Sequence, residues 1–210
     1  MQFFAYLRIV ILSGSNMLSS RIDLIVGLGN PGAKHEADRH NAGIIFLRQL
    51  CLAYGGKLSG ESKFFGEFGK ISINNHEVRL LFPTTFMNAS GRSVASVAQF
   101  YKFLPENILV AYDEIDFETG VTRFKQGGGH GGHNGIRDII SALGGEKNFH
   151  RLRIGVGHPG NKALVANYVL GRPSLSESKL IHQNIEDSIR VIPEAVAGEW
   201  EKAMKLLHSN

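Results

Sequence analysis

Residues 24–32 read Leu-Ile-Val-Gly-Leu-Gly-Asn-Pro-Gly. The apolar run Leu24–Leu28 reads as a buried strand, and Gly27, Gly29 and Gly32 fit G-x-G-x-x-G. That pattern invites a dinucleotide-binding reading, which makes two further demands. A helix must start at the second glycine so that its N-terminus faces a pyrophosphate. An acidic residue must also follow about 20 positions on for the ribose. Pro31 could open a helix, yet apolar residues at helical spacing begin only near Ile44, and nothing acidic lies between Asp38 and Glu61. The dinucleotide reading fails on both counts. The turn instead delivers Asn30 to a strand end, where Pro31 restricts the backbone and contributes no N–H.

Downstream, Asn41 is placed to cap a helix carrying Ile44, Leu47, Cys51 and Tyr54 and ending at Gly55-Gly56. Residues 63–73 and 77–82 have strand character around the turn "INNHE". A helix is expected over 90–103 with Ser90 as its cap. Strands follow over 107–115, 120–125 and 150–157, and Ile136, Ile139, Ile140 and Leu143 mark a helix stopped by Gly144-Gly145. Ser174-x-x-Glu177 is a capping box opening a helix that Pro193 is expected to break, before a last helix with Val196, Trp200, Ala203 and Leu207. Strands and helices alternate, which predicts an α/β domain with a mixed, mostly parallel central sheet. Ligands in such sheets sit beyond the carboxyl ends of the strands, so the loops after Leu28, Phe82, Ala111 and Val156 should converge.

The chain's 210 residues suit one well-packed domain, and an apolar fraction of 43% with 20% charged residues is that of an ordinary globular protein. A single cysteine excludes an internal disulfide and a multi-cysteine metal site. Cys51, flanked by Leu50 and Leu52, reads as a buried structural thiol. The net charge is +4, and residues 121–160 carry all of it: Arg123, Lys125, Arg137, Lys147, Arg151 and Arg153 against Asp138 and Glu146. A basic segment of that density is either a solvated face or a footprint for a phosphate backbone. The apolar residues 3–12 are too few to span a bilayer and lack the flanks of a signal peptide. Translation is expected to start at Met17, with 1–21 as an extension and 22–208 as the folded domain.

Five polar residues fall on or near the converging loops: Asn30, His40, Asn88, Asp113 and Asn134. A histidine oriented by a carboxylate makes a general base near neutral pH. Carboxamides can fix a carbonyl and a water without adding charge. The set suits attack of water on an activated carbonyl. A serine hydrolase would show G-x-S-x-G, which is absent. A metallohydrolase could recruit His130, His133, Asp113 and Asp116, but the two histidines flank glycines and follow three more, a poor scaffold for rigid ligation.

Taken in order, "LIVGLGNPG", "RHNAG", "FPTTFMNASG", "AYDEID", "FKQGGGHGGHNG" and "FHRLRIGVGHPG" resemble bacterial peptidyl-tRNA hydrolases over roughly residues 22–208. The resemblance implies hydrolysis of the ester between a peptide, or an N-blocked aminoacyl group, and the 3′-terminal ribose of tRNA. It implies His40 as the base that activates water, Asp113 as its support, and Asn30 as the residue that helps tell blocked from free aminoacyl groups. Phe86, Asn88 and Asn134 would contact the substrate around the ester, and Lys125 and Arg153 would hold tRNA phosphates. It further implies a mixed sheet with helices on both sides, no metal or other cofactor, and a cytoplasmic monomer with no membrane partner. The chain departs from the family at two positions. His35 stands where a tyrosine is usual, and is expected to serve as the tRNA contact there. Asp38 stands where threonine is usual and is expected to raise the pKa of His40. The sixteen leading residues have no counterpart in the family.

Overall fold

The strand read from Leu24 runs Leu24–Gly27 (β1) and lies at the centre of a seven-stranded sheet. The computed structural model describes residues 21–208, so the expected extension and the start at Met17 lie, Arg21 apart, outside the described residues. Along the chain follow α1 (Ala42–Ala53), β2 (Ser59–Glu61), β3 (Gly66–Ile73), β4 (His76–Pro83) and α2 (Ser90–Tyr101). Next come β5 (Ile108–Glu114), β6 (Thr122–Gln126), α3 (Asn134–Ala142), β7 (His150–Gly155) and α4 (Val165–Val169). The chain closes with α5 (Leu175–Arg190), α6 (Ile192–Ala197) and α7 (Trp200–His208). The strand order is β2-β3-β4-β1-β5-β7-β6. The four central strands are parallel, and antiparallel pairings add β3 and β2 at one side and β6 at the other.

Both faces of the sheet are covered. Ile25, Leu109, Ala111 and Leu152 pack with α1, α5, α6 and α7, whereas Leu24, Val26 and Val110 pack with α2 and α3. A strand buried on both faces must be apolar throughout, which is why Leu24–Leu28 shows no alternation.

The glycines of the opening turn act in packing. A Cβ at Gly27 would lie 2.5 Å from the carbonyl oxygen of Gly43, and one at Gly43 would overlap the carbonyl of Ala111. Glycine at both positions lets the first turn of α1 lie directly on β1 and β5.

Several local expectations shift. Asn41 sits at the cap position of α1, yet its side chain makes no capping bond. Ser90 is the first residue of α2, not its cap, and its hydroxyl donates to the Met87 carbonyl at 2.9 Å. That helix ends at Tyr101, where Lys102 turns left-handed at φ 59°. Pro193 lies in the first turn of α6, where its missing N–H is harmless, and the break falls at Val191. The short β2 and α4 were not foreseen. The hairpin turn was: Asn74 and Asn75 both adopt positive φ between β3 and β4, as a two-residue turn requires. Cys51 is buried and unpaired, and burial pushes its thiol pKa up, as suits a structural thiol.

Candidate active site

The carboxyl ends of the parallel strands place the expected base and its support together. Asp113 is at the end of β5, 2% exposed, and His40 lies in a 3-10 turn, Arg39–Asn41, that leads into α1. His40 Nδ1 stands 2.8 and 2.9 Å from the two Asp113 oxygens. A buried carboxylate accepts only, so Nδ1 carries the proton and Nε2 keeps its lone pair.

A second histidine completes the cluster. His133 Nε2 is 3.0 Å from Asp113 Oδ1. His133 Nδ1 accepts from the Ile136 N–H at 3.2 Å, which caps α3. The cap fixes the tautomer, because a nitrogen accepting a backbone N–H leaves the proton on Nε2, where it is donated to Asp113. The rings of His40 and His133 are 5.0 Å apart. In the sequence alone His133 stands out only as a weak metal-ligand candidate. The signal it lacked was that one histidine can cap a helix with one nitrogen and reach a carboxylate with the other. Among the described residues, His40, Asp113 and His133 form the group whose ligand atoms, within 4.8 Å of one another, could hold a metal ion. His130 and Asp116, weighed beside them in the sequence, are not part of it.

Charge follows from this geometry. Burial alone would hold Asp113 neutral, but the attraction of His40 and His133 and their hydrogen bonds outweigh it and keep its carboxyl well below the usual range. Burial likewise opposes protonation of His40, and here too Asp113 prevails, with a smaller contribution from Asp38, so the His40 pKa lies above its ordinary 6.5. The upward influence expected of Asp38 is present but secondary. Asp38 is itself buried and bound by His35, whose Nδ1 is 2.6 Å from Asp38 Oδ2. His35 therefore has one nitrogen engaged.

Asn30 is held from two sides. Its N–H donates to Asn41 Oδ1 at 2.8 Å, and Asn41 Nδ2 donates to the Asn30 carbonyl at 3.0 Å. The Asn41 side chain thus clamps Asn30 instead of capping α1. Asn30 Oδ1 accepts from the Met87 N–H at 3.0 Å. With that oxygen engaged, Nδ2 is the donor left over for a ligand. The Met87 bond also ties the β1 loop to the 3-10 turn Met87–Ala89, which bears exposed Asn88 and follows exposed Phe86. Asn134 opens α3 beside His133, exposed, with its Oδ1 accepting from Arg137 at 3.0 Å.

Four of the six basic residues of 121–160 lie on strands. The register pairs Lys125 with Arg151 and Arg123 with Arg153, which puts all four on one face of β6 and β7. Lys125 is exposed at the sheet edge. Arg153 is half-buried, ion-paired to Glu114 at 2.9 Å and packed over the Phe117 ring. Among the described residues no helix is long and apolar enough to cross a membrane.

Comparison with known proteins places the chain in a family. The family model described as peptidyl-tRNA hydrolase matches residues 24–210. The chain is 53% identical over 188 residues to the peptidyl-tRNA hydrolase of Pseudomonas aeruginosa, covering 90% of this chain and 97% of that protein. It is 52% identical, with the same coverage, to that of Pseudomonas fluorescens. Its fold is similar to the crystal structure of peptidyl-tRNA hydrolase from Acinetobacter baumannii, with a TM-score of 0.87, 47% identity, and coverage of 92% of this chain and 97% of that one. On family model, sequence and fold together, the chain belongs to the bacterial peptidyl-tRNA hydrolase family, enzymes that hydrolyse the ester joining a peptide to the 3′ ribose of tRNA.

Proposed function

We propose that His40 is the general base of this hydrolysis and that Asp113 orients it. His40 Nε2 takes a proton from water as the water attacks the ester carbonyl. The charge this leaves on the imidazole is countered by Asp113, 2.8 Å from Nδ1. The proton then returns to the departing ribose oxygen. An aminoacyl ester is already activated, so a positioned base, contributing on the order of 10²–10⁴-fold, is a sufficient engine. Asn30 Nδ2, with Asn88 and Asn134, supplies neutral donors and acceptors around the ester, and Phe86 offers an apolar surface. A blocked substrate presents a neutral amide to this carboxamide-lined site. A free aminoacyl group would bring an ammonium there unpaired, which is the basis of discrimination.

Lys125, with Arg153 beside it, is assigned to tRNA phosphates, and His35 to the contact usually made by tyrosine. Two features support the first assignment: the concentration of positive charge in 121–160 and the placement of Arg123, Lys125 and Arg153 on one face of β6 and β7. The resemblance supports a cytoplasmic monomer.

The single observation that carries the reading is the His40–Asp113 pair at the strand ends. The test is release of an N-acetyl-aminoacyl group from tRNA by the purified protein, with unblocked aminoacyl-tRNA and His40→Ala run in parallel. Cleavage confined to the blocked ester and abolished by the substitution is expected. Equal cleavage by His40→Ala would remove His40 from the mechanism.

A further inference from the structure

Arg151 is 2% exposed and the bulkiest of the fully buried side chains among the described residues. No carboxylate lies within ion-pair distance of it among those residues, although a buried charge without a partner is costly. Two of its guanidinium nitrogens bond to backbone, and Nε has no hydrogen-bond partner. NH2 donates to the Gly128 carbonyl at 2.6 Å and NH1 to the Gly129 carbonyl. These carbonyls belong to the glycine loop 127–132, which leaves β6 with the Gly127 N–H donating to the Phe149 carbonyl at 3.0 Å. Gly128 turns at φ 96°, a conformation open to glycine, so that the loop bends back over β7.

The loop leads directly to His133. Its last turn is closed by the His133 N–H donating to the His130 carbonyl at 2.9 Å. A second contact meets the same residue: Tyr112, on the neighbouring strand β5 and on the same sheet face as Arg151, packs its ring edge-on against His133 with centroids 4.8 Å apart. A guanidinium fork that fixes two successive carbonyls sets the direction of the chain as well as its place. We propose that Arg151 is a positioning residue for the hydrolysis, holding the glycine loop so that His133 stays on Asp113, and through it keeps His40 aligned. The inference rests on the reading of His40 as base. Burial separates this role from that of Lys125, because a side chain sealed under the loop does not reach a tRNA phosphate.

The test uses Arg151→Met, which keeps bulk and removes the fork, and Arg151→Lys, which keeps the charge but cannot bridge two carbonyls. Steady-state kinetics on N-acetyl-aminoacyl-tRNA are paired with 15N imidazole NMR of the substrate-free proteins. A displacement of about 1 Å in a catalytic group can lower turnover on the order of 10²-fold. Arg151→Met is accordingly expected to lose kcat with little change in KM. Its His133 signals should no longer report a single Nε2–H tautomer, and Arg151→Lys should recover part of both. Wild-type kcat and imidazole signals in both variants would overturn the proposal. So would a loss confined to KM with a shallower salt dependence, which is the mark of a phosphate contact. If Arg151→Met does not fold, Arg151→Lys decides by the same two measurements. If the unmodified protein releases no blocked aminoacyl group, the functional reading falls, and the imidazole signals still decide what Arg151 holds.

Discussion

Replacing Asp113 by asparagine tests the proposed mechanism at the atom where the most interactions meet. Asp113 Oδ1 accepts from both His40 and His133, at 2.8 and 3.0 Å, and Oδ2 lies 2.9 Å from His40 Nδ1. An asparagine has one oxygen for these two positions. If the oxygen takes the Oδ1 place, the new NH2 faces His40 Nδ1. It then favours the tautomer that carries the proton on Nε2, which cannot accept one from water. If the amide is turned the other way, the NH2 confronts the Nε2–H of His133, whose tautomer the Ile136 N–H holds in place. Either rotamer sets an NH2 within 2.9 Å of His40 Nδ1, so the oxygen no longer holds the Nδ1 proton unopposed, and the negative charge that would counter imidazolium is gone. Where an orienting aspartate behind a catalytic histidine is exchanged for asparagine, the loss in kcat is about 10⁴-fold. The same order, about 10³–10⁴-fold, is expected for Asp113→Asn. The assay is single-turnover release of N-acetyl-aminoacyl from tRNA at saturating protein, with tRNA binding measured alongside. Binding should be retained. A folded Asp113→Asn protein within tenfold of wild-type turnover would refute the tautomer reasoning, and with it the role given to Asp113.

Further outcomes are expected. Asn41→Ala removes both bonds that clamp Asn30 and should cost about 1–3 kcal/mol of stability, read by denaturant titration. It should also narrow the ratio of blocked to unblocked ester cleavage. Gly43→Ala forces a Cβ into the Ala111 carbonyl and the Leu28 backbone; a destabilisation of about 1–3 kcal/mol, as for other overpacked sites, should appear as a lower Tm. In a pH–rate profile the base must be unprotonated, so activity should rise with pH through a midpoint above 6.5, because the His40 pKa is raised. A group raised on folding adds stability that is fully present below its unfolded pKa and is lost as pH rises through the folded one. The His40–Asp113 pair should therefore stabilise the protein most on the acid side of that midpoint, a trend that His40→Ala should abolish in thermal melts across pH.

Much of the site was legible in the sequence because its residues lie in loops that strand ends must bring together. Asn30, His40 and Asp113 could be singled out once the alternation of elements predicted a largely parallel sheet. His133 could not, since its part depends on a nitrogen-by-nitrogen division of labour between a helix cap and a carboxylate. Asn41 is legible only in its position, for a related reason. Its cap position is a local property, whereas its use in clamping Asn30 requires α1 to lie against β1.

The sequence by itself determined the class of fold, the order of its elements and the chemical kind of the site. Hydrophobic runs, glycine turns and capping signals act over a few residues, and the family motifs carry their chemistry in residue identity. Only the tertiary structure decided which partners those residues take. It showed that the glycines of 24–32 let a helix lie on a strand, and that one carboxylate serves two histidines. It also showed that a buried arginine answers to glycine carbonyls more than twenty residues away. Hydrogen bonds and close contacts of this kind depend on distances of a few tenths of an ångström between segments remote in the chain, and no local pattern encodes them.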